Sequence, residues 1–408
     1  MTSFSSLFKL LILVSVTAAA PSKRATCTVK SVDDAKDIAG CSAVTLNAFT
    51  VPAGKTLVLN PDKGATVTMA GDITFAKTTL DGPLVTIDGT SINFVGADHK
   101  FDGNGALYWD GLGTNNGTHK PHPFLKIKGS GTYKKFEVLN SPAQAISVGP
   151  TDAHLTFDGI TVDDFAGDTK NLGHNTDGFD VSANDVTIQN CIVKNQDDCI
   201  AINDGKNIRF ENNQCSGGHG ISIGSIATGK HVSNVVIKGN TVTRSMYGIR
   251  IKAQRKATSA SVSGVTYDGN TISGIAKYGL LISQSYPDDV GTPGTGAPFS
   301  DVNFTGGATT IKVNTAAKRV TVECGNCSGN WDWSKLTVTG GKAGTIKSDK
   351  AKITGGTYLE DDMDQPDGGE TEPEEMPAQD PNDPEDPDTA MQEAEAEEAA
   401  AGDPTPSD

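Results

Sequence analysis

No stretch of this chain repeats apolar residues at the 3.6-residue period, which excludes helical bundles and helical repeats. Leucine is sparse and holds no fixed positions, which removes a leucine-rich repeat. The one continuous apolar run, residues 10–16, is too short to span a bilayer, so no membrane partner is expected. Cysteine and histidine are scattered without paired ligand spacing, so neither a zinc site nor any other metal or cofactor is expected. Lysine and arginine are absent from residues 360–408, which hold 20 of the 50 acidic residues. Residues 1–359 thus set all 34 Lys and Arg against 30 acids, a net of +4. The formal charge of −16 therefore describes one end of the chain. The body lacks the broad basic field that a nucleic acid requires, and no such partner is expected.

What is abundant is glycine, 46 residues, together with Asn, Thr and Val, the composition of short strands joined by tight turns. Lys9, the apolar run at 10–16 and the small residues Ala18-Ala19-Ala20 read as an export signal. The dibasic pair Lys23-Arg24 reads as a processing site, with the mature chain beginning near Ala25. A secreted, extracellular chain uses cysteine for disulfides. Neighbours in sequence suggest Cys27 with Cys41, Cys199 with Cys215 and Cys324 with Cys327, although sequence alone does not fix connectivity. Cys191 is left over inside a strand pattern and reads as a buried free thiol.

Residues 32–38 form the best short helix, with Ser31 as its N-cap, placed to cover the open end of a repeat core. From Val44 onward short strands follow at 56–59, 66–69, 84–87, 92–95, 124–127 and 132–138. A clear period then emerges. Segments beginning at Val186, Ile208, Val235 and Val265 resemble one another and carry Asn190, Asn213, Asn240 and Asn270 at their turns. Repeats of 20–30 residues built from short strands predict a right-handed parallel β-helix, with these asparagines stacked in a ladder.

A second strand type follows each of these. The overlaid runs begin at Asp177, Asp198, His219, Tyr247 and Tyr278, in steps of 21, 21, 28 and 31, which puts these five residues in one column. Stacked coils bring equivalent residues to about 4.8 Å, the spacing of neighbouring strands. Asp177 and Asp198 then face one another, with Asp197 beside them. Like charges so close leave one acid protonated beside ionised bases, the pairing that glycoside hydrolysis needs. His219 could hold a proton, orient Asp198 or bind a sugar hydroxyl, and its flanking glycines would let substrate approach the backbone. Arg250 and Lys252, at i and i+2 of one strand, point outward together. Two cations beside an acid cluster suit a substrate charged at every unit, such as a uronic-acid polymer.

Four signatures in order, Asn175-Thr176-Asp177, Gln196-Asp197-Asp198, Gly218-His219-Gly220 and Arg250-Ile251-Lys252, resemble those of family 28 glycoside hydrolases, the polygalacturonases, and most of all the fungal endo-acting members. The resemblance extends to residues 105–111, Tyr278-Gly279 and residues 324–333, and covers roughly 25–359. It implies a parallel β-helix and inverting hydrolysis of α-1,4 links in homogalacturonan, the pectate backbone. It also implies Asp197 as general acid, Asp177 and Asp198 as the pair activating water, and His219 as the catalytic-site histidine. Arg250 and Lys252 then bind the substrate carboxylate, and Tyr278 contacts substrate. Two features depart from the family: no cysteine pair follows Cys327, and the acidic tail is long.

The domain plan is an export and processing segment at 1–24, a catalytic β-helix at 25–359 and a disordered acidic tail at 360–408. Sequons place N-glycans at Asn116 and Asn303. Asn326-Cys327-Ser328 also fits, with a disulfide in the way. A capped β-helix of this kind can stand as a monomer.

Overall fold

The computed structural model describes residues 25–114 and 116–358. The expected export segment and acidic tail lie outside these residues. Among the described residues no helix is long and apolar enough to cross a membrane. Among the described residues every strand pairing is parallel, and 29 strands join one continuous ladder that winds from coil to coil. The architecture is the expected right-handed parallel β-helix.

The coil register explains the repeat. Phe179, Ile200, Ile221, Ile249, Leu280 and Val320 are successive partners in one sheet. Each is fully or almost fully buried. Alternation turns their neighbours outward, so Ala201, Ser222, Arg250 and Leu281 form a row on the outer face. A stacked Ile or Phe is removed from water by the coils above and below. Each such side chain contributes roughly 1.5–3 kcal/mol, which makes the column, repeated through the solenoid, the main source of cohesion.

Both ends of the core are covered. At the first coil the chain forms a 3-10 turn, Asp34–Asp37, in place of the longer helix expected at 32–38. The Ser31 hydroxyl still accepts the Asp34 amide at 3.2 Å, and Ala35 and Ile38 bury into the core. At the far end Trp333 meets Phe304, Trp331 and Tyr358, with ring centroids 5.6, 6.3 and 5.6 Å apart. All three disulfides join the cysteines suggested by proximity in sequence. Cys191 is free and buried, and burial pushes its thiol up to about 12. The strands expected at 84–87 and 92–95 are one strand, Val85–Val95, bent by a register shift between Gly89 and Ile92.

The asparagine ladder is present with one correction. Asn240 Oδ1 accepts the Asn213 amide at 2.9 Å, Asn270 Oδ1 accepts the Asn240 amide at 3.0 Å, and Asn213 Oδ1 accepts the Cys191 amide at 2.8 Å. Thr309 ends the column through its hydroxyl. Asn190 is not a rung. It lies one residue earlier, in register with Asn212, Gly239 and Gly269, and all four take positive φ. An asparagine suits that left-handed turn position as well as it suits a ladder, so the two look alike in sequence.

Candidate active site

The register that stacks Phe179 on Ile200, Ile221, Ile249 and Leu280 stacks the residues two positions earlier in the same way. Asp177, Asp198, His219, Tyr247 and Tyr278 therefore lie in one column, as the steps in sequence require. The turns carrying them are hydrogen-bonded coil to coil. The Gly178 amide donates to Asp198 O, the Cys199 amide to Gly220 O, and the His219 amide to Asp197 O. Asn195 knits these turns from below, its Nδ2 lying 2.8 to 2.9 Å from the carbonyls of Thr176, Asp197 and Asp198.

The glycines around His219 have a different reason from the one expected. Gly218 and Gly220 both take positive φ, and a Cβ on them would meet the Asp197 and Tyr247 carbonyls at 2.0 and 2.2 Å. They are there because neighbouring coils press against the turn, which leaves room for the backbone alone.

The first two signatures interlock. Asn175, in the left-handed region at φ 52, donates through Nδ2 to Asp197 Oδ2 at 3.3 Å. Its Oδ1 accepts from the Thr114 amide at 3.0 Å, which ties a neighbouring loop to the acid. Thr176 donates through its hydroxyl to Gln196 Oε1 and accepts the Gln196 amide, both at 2.9 Å. Gln196 Nε2 in turn donates to Asp164 O and Asp168 Oδ1 at 2.8 Å. The polar residues beside the acids thus form a clamp that holds Asp197 in one rotamer.

The two adjacent acids have different surroundings. Asp197 Oδ1 accepts the Asp198 amide at 2.7 Å and lies 3.0 Å from His219 Nδ1. His219 is thus placed against Asp197. Asp198 is fully buried, with Oδ1 2.5 Å from the Ser222 hydroxyl and 3.0 Å from an Arg250 guanidinium nitrogen, and Oδ2 3.2 Å from Lys252 Nζ. One oxygen each of Asp197 and Asp198 and a ring nitrogen of His219 lie within 4.8 Å of one another.

Arg250 and Lys252 point out from the core, as parity requires, but each is only 1% exposed. The Arg250 guanidinium lies 4.4 Å from the Tyr247 ring centroid, and Lys252 Nζ lies 4.9 Å from that of Tyr286. The cations are walled by aromatic rings and bridged by Asp198. In so desolvated a place each charge acts strongly on its neighbours. Tyr278 is 6% exposed and stacks in parallel on Tyr247, and burial, aided by the charges of Asp289 and Glu323, raises its hydroxyl above the ordinary tyrosine range.

Several participants were not singled out in sequence: Thr114, Asp164 and Asp168 in the clamp, and Asn195, Ser222, Tyr286 and Asp289. Ser222 had a signal, since it occupies in the His219 run the place that Arg250 occupies in the next. Asn195 directly precedes Gln196, but its inward clamp has no motif of its own. Tyr286 is the last residue of the strand Tyr278–Tyr286, and Asp289 reaches the site from just beyond it. Asp289 accepts the Tyr247 hydroxyl at 2.8 Å.

Residues 41–355 match the pattern of the glycosyl hydrolases family 28. The chain is 46% identical over 322 residues to an endo-polygalacturonase of Sclerotinia sclerotiorum, covering 76% of this chain and 82% of that one. It is 44% identical over 360 residues to a probable endopolygalacturonase I of Aspergillus flavus, covering 83% and 95%. Among solved structures it resembles endopolygalacturonase I of Stereum purpureum complexed with two galacturonate, at 94% identity and a TM-score of 0.81, covering 82% of this chain and all of that one. A polygalacturonase of Erwinia carotovora, 19% identical with a TM-score of 0.56, shares the fold, covering 83% of this chain and 99% of that one. By its four signatures, its stacked acid column and these matches, the chain is a glycoside hydrolase and belongs to family 28.

Proposed function

We propose that this enzyme is a secreted endo-polygalacturonase that hydrolyses α-1,4 links of homogalacturonan with inversion. The observation that carries the reading is the unlike environment of two adjacent carboxyl groups, Asp197 against His219 and Asp198 between two cations. Unlike environments separate an acid from a base. The named activity of relatives at 42 to 46% identity supports the substrate.

In this reading Asp197 gives its proton to the glycosidic oxygen as the bond from that oxygen to the anomeric carbon breaks. Asp177 and Asp198 orient a water on the opposite face of the sugar and take its proton as its oxygen joins the anomeric carbon. Asp177 and Asp198 then release the water's proton to solvent, Asp197 regains one with His219 as the relay, and the enzyme returns to its starting state. Arg250 and Lys252 attract the carboxylate of the sugar at the cut, and Tyr278 supports that unit. No cofactor takes part in this scheme.

The chain acts extracellularly in this proposal, on pectin, as a monomer whose catalytic β-helix spans 25–359. The three disulfides are consistent with export. Asn116 is exposed and suits a glycan, as does the partly exposed Asn303. At Asn326 the Nδ2 that would carry one donates to Thr295 O at 2.8 Å, which argues against a third.

Asp197→Asn tests the acid. The variant should fold as the parent does and lose hydrolysis of polygalacturonate by about 10²- to 10⁴-fold. Substantial residual activity removes Asp197 from the role. NMR of the first-formed anomer tests inversion, and retention would overturn the water-activating roles. Early products of many sizes are expected from endo action, whereas monomer or dimer alone would mean exo action.

A further inference from the structure

The acid column does not stop at Tyr278. Register carries it on to Lys318 and then Lys342. On this outer face Tyr247, Tyr278 and Leu281 form a small apolar cluster separate from the main core, with Met246 packed against it. The rings of Tyr247 and Tyr278 are parallel within 2°, with centroids 6.1 Å apart. Lys318 Nζ lies 5.5 Å from the centroid of Tyr278, and Lys318 is exposed. Among the described residues no carboxylate pairs with Lys318 or Lys342, whereas Lys277 nearby is held by Asp289 at 2.6 Å.

We propose that Lys318, backed by Lys342, binds the carboxylate of an anionic sugar unit well past the cleaved bond, so that the cleft senses substrate charge for three coils beyond His219. The proposal rests on the polygalacturonase reading and adds a binding position to it. Three coils place Lys318 about 14 Å from His219 at the strand spacing. A single pyranose cannot bridge that distance, so only longer chains meet this lysine. The tyrosine ring beneath it restricts where the ammonium sits, which lowers the ordering cost of an ion pair. An ordinary solvated lysine would have neither the ring nor the place in the catalytic column.

The test compares Lys318→Ala, Lys318→Glu and Lys318→Arg with the parent on polygalacturonate and on the shortest oligomer the parent cleaves. At low salt KM for the polymer should rise about threefold for Ala, the scale of one exposed ion pair, and further for Glu, with kcat unchanged. Lys318→Arg should stay near the parent. At about 1 M salt, where screening acts within roughly 3 Å, the differences should close. The shortest oligomer should show no change. Equal polymer KM for Lys318→Glu and the parent at low salt overturns the proposal, as does an equal effect on the shortest oligomer or a fall in kcat. The parent assayed alongside separates two failures. A parent that does not cleave polygalacturonate removes the activity reading and this position with it. An active parent with unaffected variants removes the position alone.

Discussion

His219 Nδ1 stands 3.0 Å from Asp197 Oδ1, an oxygen that also accepts the Asp198 amide at 2.7 Å. The other Asp197 oxygen accepts from Asn175. Backbone and amide donors occupy Asp197, and His219 beside it is a titratable neighbour whose protonation can change while the turn keeps its shape. His219→Asn should lower kcat about 10- to 100-fold, within the scale of general acid–base effects, and leave KM nearly unchanged. It should also displace one limb of the pH–rate profile. A uniform drop with an unmoved profile would mean that His219 does not handle the Asp197 proton.

Asp198 holds Arg250 and Lys252 in a buried trio, and its removal should cost stability as well as activity. Asp198→Asn removes the carboxylate that bridges the two cations, and breaking a buried pair costs about 3–5 kcal/mol. Asp197→Asn keeps an acceptor for the Asp198 amide, loses only the 3.3 Å bond from Asn175, and should unfold much nearer the parent than Asp198→Asn does. Denaturant titration of the two variants checks the contrast. If both unfold at the same midpoint as the parent, the trio is not holding the site together.

These contrasts show what the sequence could and could not convey. Alternation and step length specify the column because a parallel coil must stack like on like, and a slip of one residue would turn every inward Ile and Val outward. The equivalence of Asp177, Asp198 and His219 was therefore legible before any coordinate. Parity tells which face Arg250 and Lys252 occupy but not what later covers it. Their enclosure depends on Tyr247, three residues before Arg250 on the same strand, and on Tyr286 from the next coil. Asn190 was misplaced because a left-handed turn and a ladder rung select the same amino acid. The clamp from Asn195 and Gln196 to Thr176 is made of common polar residues whose roles appear only when the turns are stacked.

The ladder register makes its own prediction. Asn240→Ala removes the acceptor of the Asn213 amide and the donor to Phe210 O, leaving buried polar groups unpaired. Such losses cost about 1–3 kcal/mol each. Asn190→Gly keeps the positive φ and should change stability by less than about 0.5 kcal/mol. Equal destabilisation by the two substitutions would put Asn190 back in the ladder.

Asp164 links the site clamp to acid stability. Its carbonyl accepts Gln196 Nε2, its Oδ1 accepts the Ser141 amide at 2.5 Å, and the whole residue is buried. Burial raises its carboxyl well above the ordinary range. The unfolded chain ionises this group near its ordinary value, so across the interval between the two values the native state binds more protons than the unfolded state. Stability from this residue is therefore complete below the unfolded value and falls as pH rises toward the folded one. Asp164→Asn keeps the acceptor for Ser141 and removes the titration. The variant should match the parent at about pH 3.5, near the ordinary carboxyl value, and exceed it in thermal stability near neutrality. An acid-favoured native state suits the proposed mechanism, in which Asp197 holds a proton. Parallel melting curves of parent and variant from acid to neutral pH would show that Asp164 is ionised in the folded protein, and that the clamp carries no pH dependence of its own.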